Sequence, residues 1–157
     1  PTPEAPRRTH SGGFMTHFCS SHRFPHADRD PIDDSTARLL FESTLAIPRR
    51  PETVVVLLDH DRRGRSILNV DRTDHPDAVL DVAELSIALA DGSPAVSGAL
   101  IASVRPAGGD ELDDVERWLE LDERFAMAGI VLIEWYVYGR SVSRPRVLIG
   151  EPQRWVA

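Results

Sequence analysis

The chain has 157 residues, 41% of them apolar and 27% charged, which fits one globular domain with a sizeable core. Its net charge of −7 argues against general nucleic-acid binding by phosphate neutralisation. A single cysteine, Cys19, excludes an internal disulfide framework and fits a reducing cytoplasm, and no apolar run reaches the roughly 20 residues of a membrane span.

Residues 1–34 are rich in Pro, Arg, His, Ser and Asp and read as a mobile N-terminal arm ahead of a domain over residues 35–157. The arm has no apolar stretch of the kind a secretory leader needs, so a cytoplasmic protein is expected. Met15 offers a natural start, which would leave residues 1–14 outside the native chain. His17, Cys19, His22 and His26 have spacings that could hold a metal, but no second ligand pair accompanies them, and scattered histidines in a tail are the simpler reading.

A helix is expected over residues 36–45, capped by Asp34 or Ser35, with Ala37, Leu40, Phe41 and Leu45 facing inward and Pro48 ending it. The run TVVVLL at 53–58 is apolar throughout and reads as a central strand buried on both faces. The polar turn DHDRRG at 59–64 then leads into a second strand over 65–70, making a hairpin. His60, between Asp59 and Asp61, could act as a base or ligand, but a hairpin turn keeps it solvated.

A second helix opens at Asp74 or His75 with Pro76 in its first turn, buries Val79, Val82, Ala83, Ser86 and Ala90, and stops at Gly92. His75 reads as part of that helix start. A third strand covers 98–104. Asp110 is expected to cap a third helix, with Asp113 at the capping-box position and Leu112, Val115, Leu119, Phe125 and Ala126 facing inward. Gly129 ends it. Strands follow at 130–138 and 142–149, and Pro145 confines the last to a sheet edge. Trp118 and Trp135 are expected in or near the core, and Trp155 exposed and free for a partner. The order α-β-β-α-β-α-β-β implies an α/β (α+β) single domain, a mixed sheet sandwiched by helices.

Three stretches carry a resemblance: PETVVVLLDHDRRGRSI at 51–67, DHPDAVLDVAELSIA at 74–88 and RFAMAGIVLIEWYVYG at 124–139. In order and spacing they resemble the bacterial RadC-like branch of the JAB/MPN (JAMM) metalloprotease family over residues 36–149, which implies a cytidine-deaminase-like, JAB-type fold. That family holds zinc with a His-x-His motif and an Asp, and a Glu acts on the metal-bound water. Carried over by the resemblance, Ser103 and Arg105 fall on the histidines, Asp114 on the Asp once two residues of the loop are skipped, Glu52 on the Glu and Glu111 on a serine. Glu134 and Trp135 replace a later Asp-His pair.

Serine is a poor zinc ligand and arginine is permanently cationic, so a decayed site with no metal, no cofactor and no catalytic residues is expected, the degenerate positions being Glu52, Ser103, Arg105 and Asp114. If so, Arg105 is expected to replace the lost cation by pairing with Asp114, Glu52 or both. The resemblance thus points to an inactive domain that binds a protein, a second copy of itself included, with no membrane contact. Two other readings stay open: a hydrolase with an unconventional metal site, and an unrelated α/β domain of unknown ligand whose SVRPAGG segment is an ordinary turn.

Overall fold

The computed structural model describes residues 27–93, 95–109 and 111–155. The histidines at 10, 17, 22 and 26, and Cys19, lie outside the described residues. Helix α1 (Asp34–Thr44) is followed by the hairpin β1 (Glu52–Leu58) and β2 (Gly64–Asp71), then α2 (Ala78–Ala90) and β3 (Gly98–Val104). After these come α3 (Asp114–Met127), β4 (Val131–Tyr138), the two-residue β5 (Val142–Ser143) and the short α4 (Pro145–Leu148). The strands form one mixed five-stranded sheet in the order β2-β1-β3-β4-β5. β1 is antiparallel to both β2 and β3, β3 is parallel to β4, and β4 is antiparallel to β5.

Each face of the sheet has its own core. Because side chains alternate along a strand, Val54, Val56 and Leu58 pack with α1 residues Leu40 and Phe41, while Val55 and Leu57 pack with Val82 of α2 and Trp118 of α3. β1 and β3 are buried at every position because each is flanked by strands on both sides and covered on both faces. The inward face expected for α2 is the one observed.

The folded region begins before residue 35. Asp33 is the N-cap of α1, its Oδ1 accepting the Thr36 N–H at 2.7 Å. Ile32 is buried in the α1-side core, and the Gly64 N–H donates to the Ala27 carbonyl at 2.7 Å. Residues 27–34 therefore belong to the fold, because one branched aliphatic in a polar stretch suffices to anchor it.

Four further expectations are corrected. α3 starts at Asp114, not beside Asp110, and is rotated by about one residue: it buries Asp114, Arg117, Trp118, Leu121 and Phe125, while Leu112 is 97% and Leu119 51% exposed. The stripe is misread because its first turn carries buried charges rather than aliphatics. α2 starts at Ala78, and Asp77 makes no capping bond because Arg117 holds its carboxylate. Pro145 opens α4 instead of interrupting a long strand, its missing N–H falling where a helix start leaves donors unpaired. Trp155 is not exposed; at 7% exposure it closes the α1-side core.

Candidate functional site: an arginine–carboxylate centre at the ends of the parallel strands

The carboxyl ends of β3 and β4 lie side by side, and the chain leaving β3 turns back over them. The Arg105 N–H donates to the Tyr138 carbonyl at 2.8 Å, and the Arg140 N–H to the Gly108 carbonyl at 3.2 Å. A side chain at Gly139 would put its Cβ 2.6 Å from the Gly108 oxygen, so only glycine lets the two loops touch. This contact holds Arg105 over the helical face of the sheet that carries α2 and α3.

There Arg105 makes a two-pronged bond to Asp114: Nη1 to Oδ2 and Nη2 to Oδ1, each 2.8 Å. The Asp114 side chain is fully buried and that of Arg105 is 12% exposed. Asp114 also accepts the Glu111 N–H at 2.9 Å and Nη1 of Arg117 at 3.1 Å. Arg117 in turn donates Nε to Asp77 at 2.6 Å and Nη1 to Glu111 at 3.1 Å. The hydrogen bond from Arg117 holds the Asp77 carboxyl below the usual carboxylate range, although partial desolvation opposes it. Burial would lower the pKa of Arg117, but its bonds to Asp77 and Asp114 outweigh this and raise it. The guanidinium of Arg105 lies 5.8 Å from the centre of the Trp135 ring, and the Trp135 Nε1–H donates to Ser103 Oγ at 3.0 Å.

Ser103, Trp135, Arg105 and Asp114 are thus linked in a chain of contacts. Glu52 is not with them. It pairs in register with Val104, while its neighbour Thr53 pairs with Ser103, so the Glu52 side chain emerges on the α1 face. It is fully buried there, accepting the Ala46 N–H at 2.6 Å and the Asn69 side-chain amide at 3.1 Å. The sheet separates Glu52 from Asp114, and Arg105 pairs with Asp114 alone.

The α1 face has a second ion-pair centre that sequence reading missed. Glu134 and Arg146, both buried, are joined at 2.7 Å, and Arg146 also donates to the Glu151 carbonyl at 2.6 Å. Tyr136 Oη donates to Asp34 at 2.7 Å, and Arg144 reaches the same oxygen at 3.2 Å. Burial, then the bond to Asp34, raises the Tyr136 pKa well above the ordinary phenol value. The available signal was a charged residue inside an otherwise apolar strand, IVLIEWYVY, which demands a buried partner of opposite sign.

Asp59, His60 and Asp61 bring three ligand atoms within 4.8 Å of one another, yet the hairpin itself uses the buried carboxylate of Asp59. Asp59 Oδ1 accepts the Asp61 and Arg63 N–H groups, each at 2.9 Å, and Oδ2 lies 2.7 Å from the Arg65 guanidinium, off line for a hydrogen bond. Burial alone would raise its pKa, but these donors and Arg65 keep it below the usual value. His60 and His75 are both largely exposed, 3.4 Å from Asp61 and 3.6 Å from Asp77 respectively.

Compared with known proteins, the chain matches no family model and no curated protein.

Proposed function

We propose that this chain is a catalytically inactive domain of the RadC-like JAB/MPN type that works by binding another protein. The observation that carries this reading is the contact set at the end of β3. The residues that the resemblance puts at the metal-ligand positions, Ser103 and Arg105, are both bonded within the protein, and Asp114 has its two oxygens occupied by Arg105. A divalent cation would have to displace a guanidinium from a buried carboxylate, and Ser103 and Arg105 offer it no imidazole. Glu52 lies on the other face of the sheet, its carboxylate bonded to Ala46 and Asn69. A hydrolase that used Glu52 and Asp114 together would need both on one face.

Binding needs a surface instead, and one is available at the opposite end of the same helices. A groove of about 690 Å³ between α2 and α3 is lined by Ile87, Val96, Met127 and Ile130, with Glu84 and Asp91 among its polar residues. Metal analysis of the purified chain, combined with hydrolysis assays on an isopeptide-linked substrate, tests the reading. The expected result is no stoichiometric zinc and no turnover; zinc-dependent cleavage lost in Asp114→Ala would overturn it.

A further inference from the structure

We infer that the groove between α2 and α3 is occupied by residues 14–18 of the same chain, so that an outside partner must displace them. The groove is about 690 Å³, and its apolar lining includes Ile87, Val96, Met127 and Ile130. Met127 is 84% exposed, and Val131, the residue after Ile130, is 55% exposed. Apolar surface gathered in one concave place marks a binding site more than scattered exposed aliphatics do. The charged lining residues are two carboxylates and one arginine. Glu84 lies 2.6 Å from Arg124, whereas Asp91 is in no ion pair among the described residues.

Reach, charge and tethering select this occupant. The N-terminal segment joins the described fold at Ala27, whose carbonyl accepts the Gly64 N–H at 2.7 Å. Gly64 pairs with Leu58 of β1, Leu58 with Gly98 of β3, and Gly98 with Val131 of β4. Val96 and Ile130 lie within two residues of that row, so Ala27 and the groove share one end of the sheet. Three strand spacings to the start of β3 are about 15 Å, and passing from the α1 face to the α2–α3 face adds about 10 Å. Nine extended residues cover about 30 Å, so Phe18 reaches the groove, and Phe14 and Met15 reach it with slack. Residues 5–26 hold three arginines, four histidines and no carboxylate, whereas the whole chain has 25 carboxylates against 18 arginines. The apolar anchors Phe14, Met15 and Phe18 thus arrive on a basic tether beside Glu84 and Asp91. The tether also holds them at an effective concentration that a free segment of similar affinity does not match. The inference rests on the groove being a binding surface and not on the loss of a metal site, so its failure would leave the zinc result unaffected.

A nitroxide attached to Cys19, the chain's single cysteine and the neighbour of Phe18, tests it in the full chain by nuclear magnetic resonance. The amide signals of residues 88–93, 95–96 and 127–130 should lose most of their intensity, and those of 105–109, at the other end of the sheet, should keep theirs. Phe14→Ser with Phe18→Ser should restore the lost signals, and so should Met127→Glu at its exposed groove position. A labelled chain mixed with an isotopically enriched unlabelled one should leave the enriched chain's signals intact. Losses strongest at residues 59–65, beside Ala27, would mean that the segment is tethered there without docking and would overturn the proposal. So would losses that survive both sets of substitutions, or losses of equal size in the mixture, which would assign the groove to a second copy.

Discussion

Arg105→Ala would leave the fully buried Asp114 with one guanidinium where it had two, and without its two-pronged partner. Breaking one side of a buried pair costs about 3 kcal/mol, which urea unfolding would read directly. Replacing both members with apolar residues, Arg105→Met with Asp114→Leu, should cost less than the sum of the single changes, since no charge is then stranded. Ser103→Ala should cost about 1–2 kcal/mol, because it leaves the Trp135 Nε1–H buried without an acceptor. A parent-like stability for either single variant would show that these contacts do not hold the segment. At this scale the sequence was informative where chemistry was incompatible. An arginine at the end of a buried strand demands an anion, and a carboxylate follows within ten residues. Glu52 was misplaced because a strand residue and its neighbour face opposite ways, so a one-residue difference in register moves a side chain through the sheet. Arg117 and Asp77 were invisible because charges on a helix are ordinarily read as its solvated side.

Among the elements, α3 shows most clearly how a reading fails. Its aliphatics Leu112, Val115 and Leu119 lie at approximately helical spacing, but burying Trp118, Leu121 and Phe125 removes more apolar area and brings Asp114 to Arg105. β1, β3 and α2 were legible because each is long, uniformly patterned and bounded by Gly, Pro or Asp. The last strand was not, since VSRPRVLI suits a strand or a short helix and only the proline position separates them. Two changes test the element contacts. Gly139→Ala should destabilise by about 1–3 kcal/mol and loosen the 105–109 loop, because the clash is with the Gly108 backbone and cannot be relieved by turning a side chain. Trp155→Ala should cost about 3–5 kcal/mol by opening a cavity under α1, whereas an exposed Trp155 would tolerate the change. Thermal unfolding of each variant beside the parent decides both.

Across the whole molecule, all 18 Lys and Arg side chains are arginine, and among the described residues seven of them, Arg63, Arg105, Arg117, Arg124, Arg144, Arg146 and Arg154, pair with carboxylates while partly or wholly buried. Planar, always-charged forks suit such sites better than lysine does. The phenols set a limit at high pH. Burial raises Tyr138 from its ordinary 10.0 to about 12, and Tyr136 is raised as well. The folded state therefore keeps protons that the unfolded chain releases near 10.0, so this contribution is complete below that pH and fades as pH rises toward about 12. Unfolding titrations over that range should show falling stability. Tyr138→Phe should blunt the fall at little cost, since the Tyr138 hydroxyl has no hydrogen-bond partner among the described residues. The layered α/β plan was legible from element order alone and the Arg105–Asp114 pair from the residue types, but the link through Arg117 to Asp77, 40 residues apart, and the Glu134–Arg146 centre were not. The central proposal, that an arginine–carboxylate pair stands where the resemblance would put a metal, is tested most directly by zinc titration calorimetry. The parent should show no binding, and Ser103→His with Arg105→His should gain it, Asp114 then being free to bind the metal. Tight binding of about one zinc per parent chain, abolished by Asp114→Ala, would contradict the account.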